Sequence, residues 1–440
     1  MKENESALYS HYIIDGIRQD MTPADLLDEC MEYDEDEMQY NEPFGTFGDI
    51  IDETSDLPVT SFTYDPEKNL EYAYAAAEAS GKERPFAMLY PEHFTRLRIA
   101  EALTSRLWSK GHFRLGNLRL WAQWDWNTRP VGNMASYYLS TSAASDYIYS
   151  LGVRMSDYLF IEGDGQSNAR FFAWLPETEL EDEEDLHESI LFKSSPYESR
   201  HPWIGDDRKC PAVMTDDHDS WIVYIPFDTC AFKLGGSLLA YINGHNGGPA
   251  PQIMDADYFI DCYEVVRELV EDGIVSAGIS IGSGGLAAAA VKFCEGMGMK
   301  LDISGIMSSY QENDSTRVLF GEIPGVLIQI RDNDYDYFDS QMLLQDIAYY
   351  PVGRPSGTDS GASGPQNSTV VPPISSERIS SPSGQGQFMM TVRARHSCDR
   401  SAVNTPGTSH FAPFTDRASY PQRHKSRVRY ANRTSPPTIA

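Results

Sequence analysis

Between the apolar residues 274–281 and the alanine-rich residues 286–295 lies Gly282-Ser-Gly-Gly285, a turn whose residue types suit contact with an anion. Exposed backbone amides at the start of a helix, together with the positive end of the helix dipole, converge on a phosphate group. The turn has neither the G-x-G-x-x-G spacing of a dinucleotide fingerprint nor the Lys-Ser/Thr of a P-loop. Taken alone it admits two readings, a phosphate site or a tight turn that packs helix on strand. Asp216-Asp-His-Asp219 offers four polar ligands in a row, but adjacent residues on a tight turn rarely converge on one ion, so a strand–turn–strand reading before Trp221 fits better. The six cysteines, Cys30, Cys210, Cys230, Cys262, Cys294 and Cys398, form no CxxC pair and no zinc-ligand spacing; they read as reduced thiols. Trp121, Trp124 and Trp126 could stack on bases or sugars, or pack in a core or a pairing surface.

The elements that must position these residues follow from periodicity. Residues 274–281 are rich in β-branched types and read as a strand leading into the turn, 286–295 as the helix after it, and 256–271 as an earlier helix capped by Asp255. A strand at 325–330, a helix at 335–345 and a strand at 347–352 follow. Upstream, the alanine-rich 69–80 ends at Gly81, and 91–109 places Phe94, Leu97, Ala100, Leu103 and Leu107 on one helical face before Gly111. Leu118, Leu120, Ala122, Trp124 and Trp126 alternate with Arg119, Trp121, Gln123 and Asp125, the period-two pattern of a half-buried strand. A helix at 133–151 and strands at 157–162, 169–175 and 221–226 complete an α+β pattern. Residues 1–60 read as a loosely structured acidic leader with one helix, capped by Thr22 with Pro23 and Asp25 behind it. Residues 179–185 read as a solvated acidic loop. After Gly353 the composition turns to Ser, Gly and Pro and then to basic polar sequence, which predicts a disordered tail over 355–440.

At 440 residues and 41% hydrophobic content the chain can bury a core in two or three domains. Its net charge of −30 is uneven: eleven basic against four acidic residues after Tyr350 give that tail +7, which leaves −37 for residues 1–350. So acidic a body repels nucleic-acid phosphates and argues against a nucleic-acid partner. No stretch approaches the roughly 18 apolar residues of a membrane span, and no apolar signal core follows the charged first residues, so the expectation is a cytoplasmic protein without membrane association.

Several segments, in order, resemble the phosphoribosylformylglycinamidine synthase (formylglycinamidine ribonucleotide synthase) family. Arg98-Ile-Ala-Glu-Ala-Leu-Thr104 with Trp108 is similar to that family's "LAIAEALTNxxW", Leu120 to Trp126 to its "LSANWMW", and Ser145 to Val153 to its "SDFAxxLGI". Phe232-Lys-Leu-Gly-Gly-Ser237 resembles the entry to its C-terminal lobe, residues 274–286 its "A-x-H-D-x-S-x-G-G-L", and Val318 to Ile330 its "LFxExPGxVIQ". The colinear likeness covers roughly residues 85–354 and corresponds to the second synthetase half alone. It implies an aminoimidazole-ribonucleotide-synthetase-like N-terminal lobe over 61–230 and an α+β C-terminal lobe over 231–354.

The resemblance also implies ATP and Mg²⁺ as cofactors, because hard oxygen ligands hold the Mg²⁺ that neutralises the nucleotide phosphates. It makes Glu101 a metal ligand and Gly282, Ser283, Gly284 and Gly285 the nucleotide-binding turn. Read on its own, Glu101 is equally an ordinary acid on a helix surface. Where the family keeps the Asn, His, Asp and Ser of this site, the chain holds Ser105, Ile279, Ser280 and Gly282, and where a P-T-G-K-D-S loop is expected it holds residues 154–161. One remaining carboxylate predicts weak Mg-nucleotide binding at best. The implied function is ATP-dependent amidine formation from formylglycinamide ribonucleotide in de novo purine biosynthesis, by a degenerate ligase not active alone. The alternative is a pseudoenzyme that binds a nucleotide or a partner; a decayed gene product is a third reading. Because such lobes pair sheet to sheet, the partner expected is a second copy or another synthetase-like chain.

Overall fold

The alternating residues 118–126 form the strand Arg119–Asn127, the centre of a three-stranded sheet. Arg154–Gly163 pairs with it in parallel and Asn168–Trp174 in antiparallel orientation. The computed structural model describes residues 6–31, 45–50, 62–130, 132–176, 208–295, 297–356 and 389–393. Half-burial of the central strand is not what forms: five consecutive residues from Leu120 to Trp124 are buried. Trp121 lies on Phe172 at 5.6 Å between ring centres, while on the other face the Trp124 indole donates to Ser140 at 3.0 Å and the Trp126 indole to the Asn133 carbonyl at 2.9 Å. The helices Pro91–Thr104 and Gly132–Ser150 pack beside each other against this sheet. The first stops at Thr104 rather than at 109, and the chain turns there so that Trp108 reaches across to Ser280 at 3.0 Å.

Residues 6–31, expected to be loose, are part of the body. Ser10–Ile14 and Ile17–Arg18 form a hairpin around Asp15 and Gly16, whose φ values of 48° and 78° suit the Asp-Gly pair of a tight primed turn. Gly45–Ile50 pairs in parallel with Ser10–Ile14. The helix Pro23–Asp28 follows its capping box as read: the Asp25 amide donates to Thr22 Oγ1 at 3.2 Å and the Thr22 amide to Asp25 Oδ2 at 2.8 Å. Tyr12 and Leu27 are fully buried, so the segment contributes to the core.

A four-stranded antiparallel sheet runs in the order Tyr350–Gly353, Trp221–Pro226, Gly325–Ile330, Val275–Ile281. Residues 221–226 therefore pair with strands on the far side of residue 230, where the sequence reading places them in the N-terminal lobe. One face of the sheet, through Ile225, Val326 and Ile328, meets Phe259 and Val266 of the helix Ala256–Glu271. The other, through Ile222, Tyr224 and Leu327, meets the helices Asn69–Ala79 and Gly285–Phe293. Gly298–Asp302 lies between Pro355–Ser356 and Met389–Arg393 in a further small sheet, so seven residues of the stretch read as disordered tail, 355–356 and 389–393, lie in strands. The rest of that tail from 357, and the acidic loop at 179–185, lie outside the described residues. Helices and largely antiparallel sheets segregate in this way into an α+β fold. Among the described residues no helix is long and apolar enough to cross a membrane.

Candidate functional site

The glycine-rich turn joins the edge strand Val275–Ile281 to the helix Gly285–Phe293. Gly284 and Gly285 carry φ of +88° and +64°, backbone that disfavours any side chain. A Cβ on Gly285 would meet the Leu319 carbonyl at 2.7 Å, and one on Gly282 would stand 2.1 Å from Glu101 Oε1. The turn is thus packed against two neighbours, one of them a carboxylate.

Its amides are already engaged. Ser283 N–H donates to Glu101 Oε1, Gly284 N–H to Glu322 Oε1 at 2.7 Å, and Gly285 N–H to the Gly282 carbonyl at 2.9 Å. Arg98 holds the second oxygen of Glu101 at 3.0 Å. Burial pushes the Glu101 carboxyl up, but the Arg98 guanidinium and the Ser283 amide outweigh it and hold the group below the usual carboxylate range, so it is ionised at neutral pH. Glu322 is fully buried, paired to Arg84 at 2.9 Å, and accepts the Leu238 amide at 2.7 Å through the oxygen that takes Gly284. Two internal carboxylates therefore stand where an anion would receive the turn.

Beside the turn is a cavity of about 250 Å³ lined by Trp108, Ile279, Ala288, Ala289 and Ser283, with Arg208 and Lys292 also on its wall. Ser105, Ser280, Gly282 and Gly285 line it too. The positions that the resemblance assigns to Mg²⁺ and nucleotide do converge in space. Their chemistry is spent on the protein: Ser280 Oγ accepts from the Trp108 indole at 3.0 Å and donates to the Thr104 carbonyl at 2.9 Å, and Ser105 Oγ donates to the Ala102 carbonyl at 2.6 Å. Among the described residues no group of three His, Cys, Asp or Glu side chains could hold a metal ion, Asp216-Asp-His-Asp219 included. Glu101, held by Arg98 and an amide, does not fit Mg²⁺, which demands several oxygen ligands in near-octahedral array.

Sequence reasoning missed Glu322, Arg208 and Lys292. Lys292 had a signal: it follows Ala288 by four residues and Ala289 by three, which places it on their helical face. Glu322 sits within the segment matched to "LFxExPGxVIQ", but nothing local says that it turns inward to meet Arg84. Arg208 follows the undescribed 177–207 and reaches the site through the Gly278 carbonyl at 2.6 Å.

No family model matches the chain. Among curated proteins it is 23% identical over 280 residues to the probable phosphoribosylformylglycinamidine synthase, chloroplastic/mitochondrial, of Arabidopsis thaliana, covering 63% of this chain and 18% of that protein. It is 21% identical over 268 residues to phosphoribosylformylglycinamidine synthase of Homo sapiens, covering 60% and 18%. Over 159 residues it is 26% identical to phosphoribosylformylglycinamidine synthase subunit PurL of Methanocaldococcus jannaschii, covering 35% and 21%. The chain spans about a fifth of the length of these relatives. Similar solved structures include PurLQS from Thermotoga maritima, at 11% identity, TM-score 0.42, 62% of this chain and 39% of that one. Another is the E. coli hydrogenase maturation protein HypE, at 10% identity, TM-score 0.34, 60% and 74%. By sequence, the chain is a divergent relative of phosphoribosylformylglycinamidine synthase, matched over part of that protein's length.

Proposed function

We propose that the chain is a synthetase-like pseudoenzyme of de novo purine biosynthesis, derived from the phosphoribosylformylglycinamidine synthase reaction but without Mg-ATP turnover of its own. One observation supports this above the rest: the Ser283 and Gly284 amides, the donors a nucleotide phosphate needs, are held by Glu101 and Glu322. A phosphate brought there would have to displace two carboxylates already paired to Arg98 and Arg84. In this reading the protein acts in the cytoplasm through a partner, either a second copy or a synthetase-like chain. The strand Arg154–Gly163 lies at one side of its three-stranded sheet, bridged at Met155 to Met31, and its exposed Ile161 is on the face proposed for that partner.

Calorimetric titration of the full chain with ATP or ADP plus Mg²⁺, with Glu101→Ala beside it, tests the proposal. No saturable binding is expected up to about 1 mM, and no amidine forms from formylglycinamide ribonucleotide, ATP and ammonia. Micromolar, Mg²⁺-dependent binding that disappears in Glu101→Ala restores the active ligase with ATP and Mg²⁺ as its cofactors.

A further inference from the structure

The helix Tyr335–Leu344 packs inward through Phe338 and Met342 and leaves its opposite side bare. There Tyr337 is 46% exposed, Leu343 70% and Leu344 75%. Tyr337 and Leu344 stand two helical turns apart on one row, and Asp336 and Leu343 form the row beside it, so the apolar residues make a continuous outward patch rather than scattered surface positions. Acids accompany it. Residues 331–346 hold five Asp against Arg331 alone, a net charge of −4, and among the described residues the exposed Asp336 and Asp346 have no ion pair. The start of the helix shows how this surface takes a cation. The Arg354 guanidinium lies 3.7 Å from the centre of the Trp221 ring and pairs with Asp332 at 3.3 Å, and Trp221 in turn lies on Tyr335 at 5.2 Å between ring centres.

We propose that this face is a docking site for a basic segment of the same chain, residues 423–430. Charge complementarity names the occupant: residues 394–440 carry eight basic and two acidic residues, a net charge of +6, against −37 for residues 1–350. Within them Arg423-His-Lys-Ser-Arg-Val-Arg-Tyr430 interleaves four cations with Val428 and Tyr430, a basic and apolar mixture that matches the acidic and apolar mixture on the helix. Topology brings the segment near. Ser356 and Arg393 both pair with Gly298, one on each side of its strand. The tail therefore leaves the body two strand spacings, about 10 Å, from Ser356, itself two residues past the Arg354 that rests on Trp221. A linker the length of residues 394–422 spans on the order of 30 Å, twice the roughly 15 Å of the helix. Tethering supplies an effective concentration on the order of 1 mM, so a weak contact suffices. None of these residues belongs to the glycine-rich turn, and the contact stands apart from the loss of Mg-ATP turnover.

Lys425 is the one lysine of residues 394–440, so zero-length carbodiimide coupling of the full chain, read by mass spectrometry, tests the contact. An amide between Lys425 and Asp336 or Asp346 is expected within the monomer. Its yield falls about tenfold in Leu343→Ser/Leu344→Ser, which removes exposed side chains and leaves the core in place. Arg427→Gln/Arg429→Gln lowers the yield severalfold while keeping the reactive lysine, and about 0.5 M NaCl does the same by screening. The tail variant changes only residues outside the described body, so it stays informative should the leucine variant fold poorly. The same amide found only in covalent dimers overturns the intramolecular contact and assigns the face to a second copy. No Lys425 amide to either aspartate, Lys425 amides spread over acids of the whole body, or a yield unchanged in Leu343→Ser/Leu344→Ser overturns the docking site itself.

Discussion

At the residue scale, Glu322 does the most with one side chain. Its two oxygens join Arg84, the Leu238 amide and the Gly284 amide, and so tie the 84 region, the 238 helix start and the glycine-rich turn together in the interior. Removing one partner of a buried pair leaves the other charge unmatched and typically costs about 3–5 kcal/mol. Glu322→Ala is therefore expected to lower unfolding free energy by roughly that amount, read as a fall in urea midpoint at constant slope; a loss below about 1 kcal/mol would mean that water replaces the carboxylate at Arg84. Glu101 was legible from the sequence as a residue of interest, through its place in the segment ending at Thr104. That it pairs with Arg98 and the Ser283 amide was not legible, because the residue type carries no sign of its partners.

At the element scale, local chemistry carried far. Thr22 and Asp25 announce the helix Pro23–Asp28, and the capping box forms with both hydrogen bonds. Thr22→Ala should cost about 1 kcal/mol, the usual loss of a side-chain cap, and thermal unfolding of that variant should show a lower Tm; no change would mean that the segment 6–31 unfolds before the body. The strand Trp221–Pro226 and the helix Ala256–Glu271 have the bounds their patterns predict. The hairpin at Asp15-Gly16 is equally present in the sequence, as an Asp-Gly pair between apolar residues, although the acidic composition of the first sixty residues masks it. Which sheet a strand joins is a different matter. Trp221–Pro226 pairs with Gly325–Ile330, a hundred residues on, and nothing in either strand's own pattern names the other.

At the scale of the whole molecule, burial of ionisable groups couples folding to pH. His93 is buried with neither ring nitrogen hydrogen-bonded, and desolvation first, then Arg84 and Arg96, push its pKa down from 6.5 to about 3. Between those values the unfolded chain binds a proton that the folded chain excludes, so stability is complete above pH 6.5 and is lost as pH falls toward 3. His93 alone should remove about 2 kcal/mol between pH 7 and pH 5, and His93→Leu should flatten that part of the stability profile. A slope unchanged in the variant would assign it to other groups. Sequence by itself determined the local elements and the family likeness, since caps, periods and turn residues act within a few positions of each other. Only the tertiary structure decided what the glycine-rich turn holds. Its Ser283 amide meets Glu101 across 182 residues and its Gly284 amide meets Glu322 across 38, and an anion site is open or filled according to which distant charge the packing brings to it.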